Sequence, residues 1–290
     1  ENVKEKMIRR HPHVYGDAPN DLESIHQMWL EIKEQENKLK HAQKEEFYRR
    51  IAAAHTDGVS NGAPSCVSKE LVPLKPGEAR TRVIMFDYDG VLVNSFTLAC
   101  LANELIANEL RRLSLSENED VYRDLFETNW KEALAKLGIV KTLDVQRAEE
   151  IYHTIVQRYR NSITLYPEVL DLLKTLHERG YKLAIISNNA EYLIRERLNQ
   201  LDILKYFDLV LDHTHGVKPE IQQIVKCLHH FNVQPGEAVL IGDMDGDILA
   251  AKRAKLKRAI AVTYGYHPKH RLHLADVLVD SPIKILEVID

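Results

Sequence analysis

Two aspartates one residue apart, Asp87 and Asp89, follow directly on the apolar run Val83-Ile84-Met85-Phe86 and are closed by Gly90. Carboxylates placed there can serve as nucleophile, acid, base or metal ligand, and in open α/β sheets sites form at the carboxyl ends of strands. Taken alone, the same residues also suit a solvated turn, so the reading depends on what else reaches that rim. Three further groups do. Run 183–186 ends in Ser187-Asn188-Asn189, run 208–211 is followed by Gly216-Val217-Lys218-Pro219, and run 238–241 ends in Gly242-Asp243-Met244-Asp245-Gly246-Asp247. A hydroxyl, a lysine and several acids thus converge with Asp87 and Asp89 at the ends of neighbouring strands, and convergence is far more specific than any single motif.

The elements that must position these groups alternate. Short runs rich in Val, Ile and Leu at 83–86, 183–186, 208–211, 238–241 and 259–262 are separated by helical stretches, the pattern of a parallel sheet with right-handed crossovers. Pro167 and Pro219 are expected in the first turns of helices and Gly180 just past a helix end. Ile221, Ile224, Val225 and Leu228 share one helical face, as do Ile194, Leu198 and Leu201. One interval breaks the rhythm: the residues from Ser95 to Leu165 read as helical throughout, an inserted cap over the site. Upstream, Gly, Pro, Ser and Asn concentrate between residues 56 and 80 as a linker. Before it, Ile25, Met28, Trp29, Ile32 and Leu39 form a sparse helical stripe that needs a partner surface.

Composition narrows the function. The 290 residues are 44% hydrophobic and 28% charged with a net charge of −4, which suits a globular protein and leaves no basic footprint for nucleic acid. Cys66, Cys100 and Cys227 have no Cys-x-x-Cys spacing, so neither a disulfide framework nor a zinc cluster is expected, and a reducing cytoplasm is the expected home. No apolar stretch approaches membrane-spanning length. The chain opens on Glu1 rather than methionine, as a fragment or processed form would. Asp243, Asp245 and Asp247 mimic the start of a calcium loop, but Ile248 occupies the glycine position and Ala254 the glutamate position of an EF-hand. The His11/His13, His213/His215 and His267/His270/His273 groups are read as surface or loop residues rather than ligands.

Asp87-Tyr88-Asp89-Gly90, Ser187, Lys218-Pro219 and Gly242-Asp243 through Asp247 resemble, in order, the four motifs of the haloacid dehalogenase superfamily of phosphohydrolases, over about residues 82 to 290. The branch with a helical cap between the first two motifs is the nearest, and Val262-Thr263-Tyr264-Gly265-Tyr266, with Ala275-Asp276 and Ser281, is similar to phosphoglycolate phosphatases. The resemblance implies an α/β, Rossmann-like parallel sheet with an inserted helical cap, here preceded by a short all-α segment. It implies Asp87 as nucleophile, Asp89 as acid and base, Ser187 and Asn188 with neighbouring amides as phosphate binders, and Lys218 offsetting charge. Magnesium would be held by Asp87, the carbonyl of Asp89 and Asp243, with Asp247 either as a further ligand or supporting them from behind. The chain departs from the family at Ala254-Lys255-Leu256, where glycine is usual and a left-handed turn would cost about 1 kcal/mol. It departs also at Met244 and at Pro219-Glu220-Ile221.

Lys6 through Gly16, with Trp29-Leu30-Glu31-Ile32-Lys33, resembles the carboxyl-terminal part of MazG-type nucleoside triphosphate pyrophosphohydrolases. That likeness implies Lys6, Arg10, Trp29 and Lys33 near a nucleotide, without the metal-binding helices. Residues 1–55 are therefore read as a MazG-like remnant, which could dimerise through its helices, and 81–290 as the hydrolase. The expected activity is magnesium-dependent hydrolysis of a small phosphorylated metabolite. A phosphosugar mutase, part of a bifunctional pyrophosphohydrolase and a non-catalytic phosphoryl-binding module are the alternatives.

Overall fold

The computed structural model describes residues 80–111 and 123–290. Residues 1–55, expected to be helical and including Lys6, Arg10, Trp29 and Lys33, and the expected linker 56–80 except its last residue lie outside the described residues.

The central sheet is built by β1 (Val83–Phe86), β4 (Lys182–Ile186), β5 (Leu209–Leu211), β6 (Ala238–Gly242), β7 (Arg258–Val262) and β8 (Val277–Val279), in the order β5-β4-β1-β6-β7-β8. All of its pairings are parallel. Because side chains alternate across a strand, Ile84 and Phe86 enter one core layer while Val83 and Met85 enter the other. The first layer is closed by α4 (Val169–Glu178) and α5 (Glu191–Gln200), the second by α6 (Gln222–Phe231) and α7 (Asp245–Arg253). Burial on both faces explains why these strands read as continuous apolar runs.

The chain leaves β1, passes through β4 and β5 on one side, then returns to β6 on the other side of β1. That reversal opens a crevice at the carboxyl end of β1. Phe86 is level with Ile185 of β4 and Ile241 of β6, so Asp87, Ser187 and Asp243 emerge within one residue of a common level. Register alone brings together three of the four sequence motifs.

Between β1 and α4 stands the insertion. Two short strands, β2 (Val93–Asn94) and β3 (Thr164–Leu165), pair antiparallel at its base. Between them lie α1 (Phe96–Arg111), α2 (Trp130–Lys136) and α3 (Thr142–Tyr159). No helix among the described residues is long and apolar enough to cross a membrane.

Several expectations need correction. Pro167 and Pro219 precede their helices, which start at Val169 and Gln222, because each proline sits in a turn leading into the helix rather than in its first turn. Val225 is exposed while Ile224 and Leu228 are buried, and Ile221 stands at the N-cap of α6. His267 lies in a loop, as expected, but is buried there, being only 1% exposed.

Candidate active site

The site is assembled around one lysine. Lys218, 2% exposed, places Nζ 2.8 Å from Asp87 Oδ1 and 2.6 Å from Asp247 Oδ1. Asp87 is delivered by β1, whose ladder continues one residue further through a 2.8 Å bond from its N–H to the carbonyl of Ile241. The Tyr88 N–H donates to Asp87 Oδ1 at 2.7 Å, while the Tyr88 ring turns into the core. Asp247 lies in the first turn of α7, where Oδ2 accepts from the N–H groups of Asp243 and Met244 at 3.2 and 2.9 Å. Its carboxylate thereby satisfies donors that a helix start leaves unpaired.

Asp243, fully buried, accepts the Tyr266 N–H on Oδ2 at 2.6 Å, whereas its buried Oδ1 has no hydrogen-bond partner. Two glycines permit this packing. A Cβ on Gly90 or Gly265 would collide with the Asp243 carboxylate, and Gly90 also has a φ of +78°. Oxygen atoms of Asp87, Asp243 and Asp247 all lie within 4.8 Å of one another. Burial and the neighbouring carboxylates raise the pKa of Asp243 well above its ordinary value. Burial likewise raises Asp87, although Lys218 opposes it. Lys218 itself is raised, because Asp247 and Asp87 outweigh its own desolvation. Three buried carboxylates share a single ammonium, and a fully buried oxygen is left unpaired. A hard divalent cation with oxygen ligands would fit that donor set and offset the excess negative charge.

Asp89 points elsewhere. Its Oδ1 accepts from Ser95 Oγ at 2.6 Å and its Oδ2 from Asn189 Nδ2 at 3.2 Å, and desolvation raises its pKa against these two bonds. Ser95 Oγ is also 3.0 Å from Tyr266 Oη.

Ser187 is buried at the end of β4, where its Oγ accepts from the Asn189 N–H at 3.1 Å. The Asn188 side chain is occupied by structure: Oδ1 accepts from the Lys218 N–H at 2.8 Å, and Nδ2 donates to the carbonyls of Lys218 and Thr128. Asn188 therefore anchors the loop that carries the lysine, and its main chain is the part that remains to face a ligand. Sequence reasoning missed the functions of Ser95, Asn189, Tyr266 and Thr128. The words Asn94-Ser95 and Ser187-Asn188-Asn189 were the available signals, since polar residues there follow strands on the rim.

A second group, Glu127, Asp245 and His267, also brings ligand-type atoms within 4.8 Å of one another. Arg271 fills it, pairing with Asp245 and with Glu127 Oε2 at 2.9 Å. His267 Nδ1 accepts from the Asp245 N–H, which leaves the proton on Nε2 to donate to the Phe126 carbonyl at 3.0 Å. Burial lowers the His267 pKa and keeps the ring neutral. This group is a clasp between the insertion and the sheet domain, in which the guanidinium already supplies the positive charge that faces the two carboxylates.

Comparison with known proteins agrees with this architecture. A family profile described as Haloacid dehalogenase-like hydrolase matches residues 84–261. The phosphoglycolate phosphatase of Aquifex aeolicus is 32% identical over 215 residues, covering 72% of this chain and 97% of that protein. The pyrophosphatase PpaX of Halalkalibacterium halodurans is 29% identical, covering 61% and 81%. Among solved structures, a haloacid dehalogenase-like family hydrolase from Streptococcus pneumoniae superposes with a TM-score of 0.63 at 21% identity, covering 72% of this chain and 99% of that one.

Proposed function

The chain belongs to the haloacid dehalogenase-like hydrolase family and is a phosphatase, and on that premise we propose that it hydrolyses a small phosphate monoester through an aspartyl-phosphate on Asp87. The observation that supports this most is the buried group of Asp87, Asp243 and Asp247 about Lys218, with Asp243 Oδ1 unpartnered. Asp87, Asp243 and Asp247 would hold magnesium, with the Asp89 carbonyl as the further donor. When bound, the ion masks charge on the phosphoryl oxygens and lets an anionic nucleophile approach.

The residues of the chain then divide the reaction. Lys218 and the Tyr88 N–H both hold Asp87 Oδ1, so Oδ2 is the oxygen aimed at phosphorus. As the bond from Asp87 to phosphorus forms and the ester bond breaks, Asp89 gives its proton to the leaving alkoxide. Asp89 next takes a proton from the water that attacks the aspartyl-phosphate, and Asp87 is released as carboxylate. Ser187 Oγ and the main-chain amide of Asn188 bind the phosphoryl oxygens, and Lys218 offsets charge gathering between them and Asp87.

Phosphoglycolate is the first substrate to test, because the Aquifex aeolicus relative carries that name. Inorganic pyrophosphate is the second, because a pyrophosphatase relative lies at comparable identity. A panel of phosphorylated metabolites with magnesium separates them. Asp87→Asn is expected to abolish turnover of para-nitrophenyl phosphate while thermal unfolding stays near that of the unaltered protein. Unchanged turnover in the variant would sink the mechanism.

A further inference from the structure

Tyr266 reaches both halves of the site, one through its main chain and the other through its side chain. Its main-chain N–H is bound by Asp243 Oδ2 at 2.6 Å, and its hydroxyl lies 3.0 Å from Ser95 Oγ, which is 2.6 Å from Asp89 Oδ1. Donor accounting fixes the direction of this chain. With the proton that Asp89 delivers carried on Oδ2, its Oδ1 accepts from Ser95, which spends its single hydrogen there and so accepts from the Tyr266 O–H. The serine hydroxyl is thus held at both ends, and Asn189 holds the other carboxylate oxygen at 3.2 Å. The plane of the Asp89 carboxyl is set by these partners.

The ring of Tyr266 has a second set of contacts. It is buried, and its centroid lies 4.8 Å from Phe126 and 5.4 Å from Phe96, both in edge-to-face geometry. Phe96 begins α1, and Phe126 belongs to the stretch of the insertion whose carbonyl is held by His267 and Arg271. How the insertion seats on the sheet domain therefore bears on where the Tyr266 hydroxyl stands.

We propose that Tyr266 is a positioning residue for proton delivery: through Ser95 it aims the Asp89 carboxyl at the leaving group, and it does so when Phe126 and Phe96 clasp its ring. This rests on the reading of Asp89 as the general acid. Proton delivery matters to a poor leaving group and little to a good one, so the expected signature is a dependence on the leaving group.

The test is single-turnover release of the leaving group from glycerol phosphate and from para-nitrophenyl phosphate by the full chain with magnesium. Tyr266→Phe keeps the ring and its packing, and it is expected to slow glycerol phosphate by about tenfold with KM unchanged and to leave para-nitrophenyl phosphate within about twofold. Asp89→Asn is expected to show the same selectivity with a larger loss, about 100-fold or more. Ser95→Ala breaks the same chain at its middle and carries the test should the tyrosine variant fold poorly. Equal slowing of both substrates by Tyr266→Phe and Ser95→Ala, or no slowing, overturns the positioning role if Asp89→Asn remains selective. Loss of selectivity in Asp89→Asn overturns the acid assignment itself, and the positioning role with it.

Discussion

Lys218 shows how much of this site rests on one charge. Its ammonium is buried between Asp87 and Asp247, and removing one partner of a buried ionic group leaves the others without compensation. Lys218→Met keeps most of the volume but leaves three carboxylates facing one another. In metal-free buffer, denaturant unfolding is expected to show a loss of about 3–5 kcal/mol. Adding magnesium should raise the melting temperature of the variant more than that of the unaltered protein, because a cation then supplies the missing charge. Turnover should fall by at least about 100-fold. Asp87, Lys218, Asp243 and Asp247 were legible in the sequence because each is a polar residue placed at or just after an apolar strand, and parallel register brings such positions to one rim. The bond between Ser95 and Tyr266 was not, since it joins residues 171 positions apart and no local pattern encodes it.

At the scale of elements, the long apolar strands could be read almost to the residue, because burial on both faces leaves an uninterrupted signal. β1 covers the expected 83–86, and β4 and β7 each begin one residue before the expected run. The two-residue strands β2 and β3 and the edge strand β8 were not found, being too short to carry a periodicity. The end of α7 is instructive. Lys255 has a φ of +55°, and the bonds Leu256 N–H to Ala251 O and Lys255 N–H to Lys252 O complete a Schellman motif. The left-handed turn is thus retained without glycine. Lys255→Gly should relieve the clash of Cβ with the backbone and raise unfolding stability by about 1 kcal/mol, with turnover unaltered. A destabilised variant would mean that the lysine side chain contributes more than its backbone costs.

Over the whole molecule, the insertion is fastened to the sheet domain by polar contacts on the side of α7. Arg271 pairs with Asp245 and Glu127 and donates to the Phe126 carbonyl at 2.9 Å, and Arg123 donates to the carbonyls of Gly265 and Tyr266. Arg271→Met should cost about 2 kcal/mol, since it removes charge-assisted bonds that are only partly screened. The same variant should weaken substrate binding, read as a raised KM for para-nitrophenyl phosphate, because the insertion is then less firmly seated over the rim. None of this fastening could be read from sequence, because arginines and glutamates at those positions look like an ordinary solvated surface. The antiparallel pair of β2 and β3 has a different consequence. Both crossings between the two parts pass through adjacent rungs, with Val93 opposite Leu165 and Asn94 opposite Thr164. The chain therefore departs and returns at points only about 5 Å apart. A segment whose ends meet so closely can be lengthened, shortened or exchanged for another helical unit without altering the register that aligns Asp87, Ser187 and Asp243. Variation in what such a protein accepts can accumulate in the insertion away from Ser95, Phe96 and Phe126 while the strand register beneath it is kept.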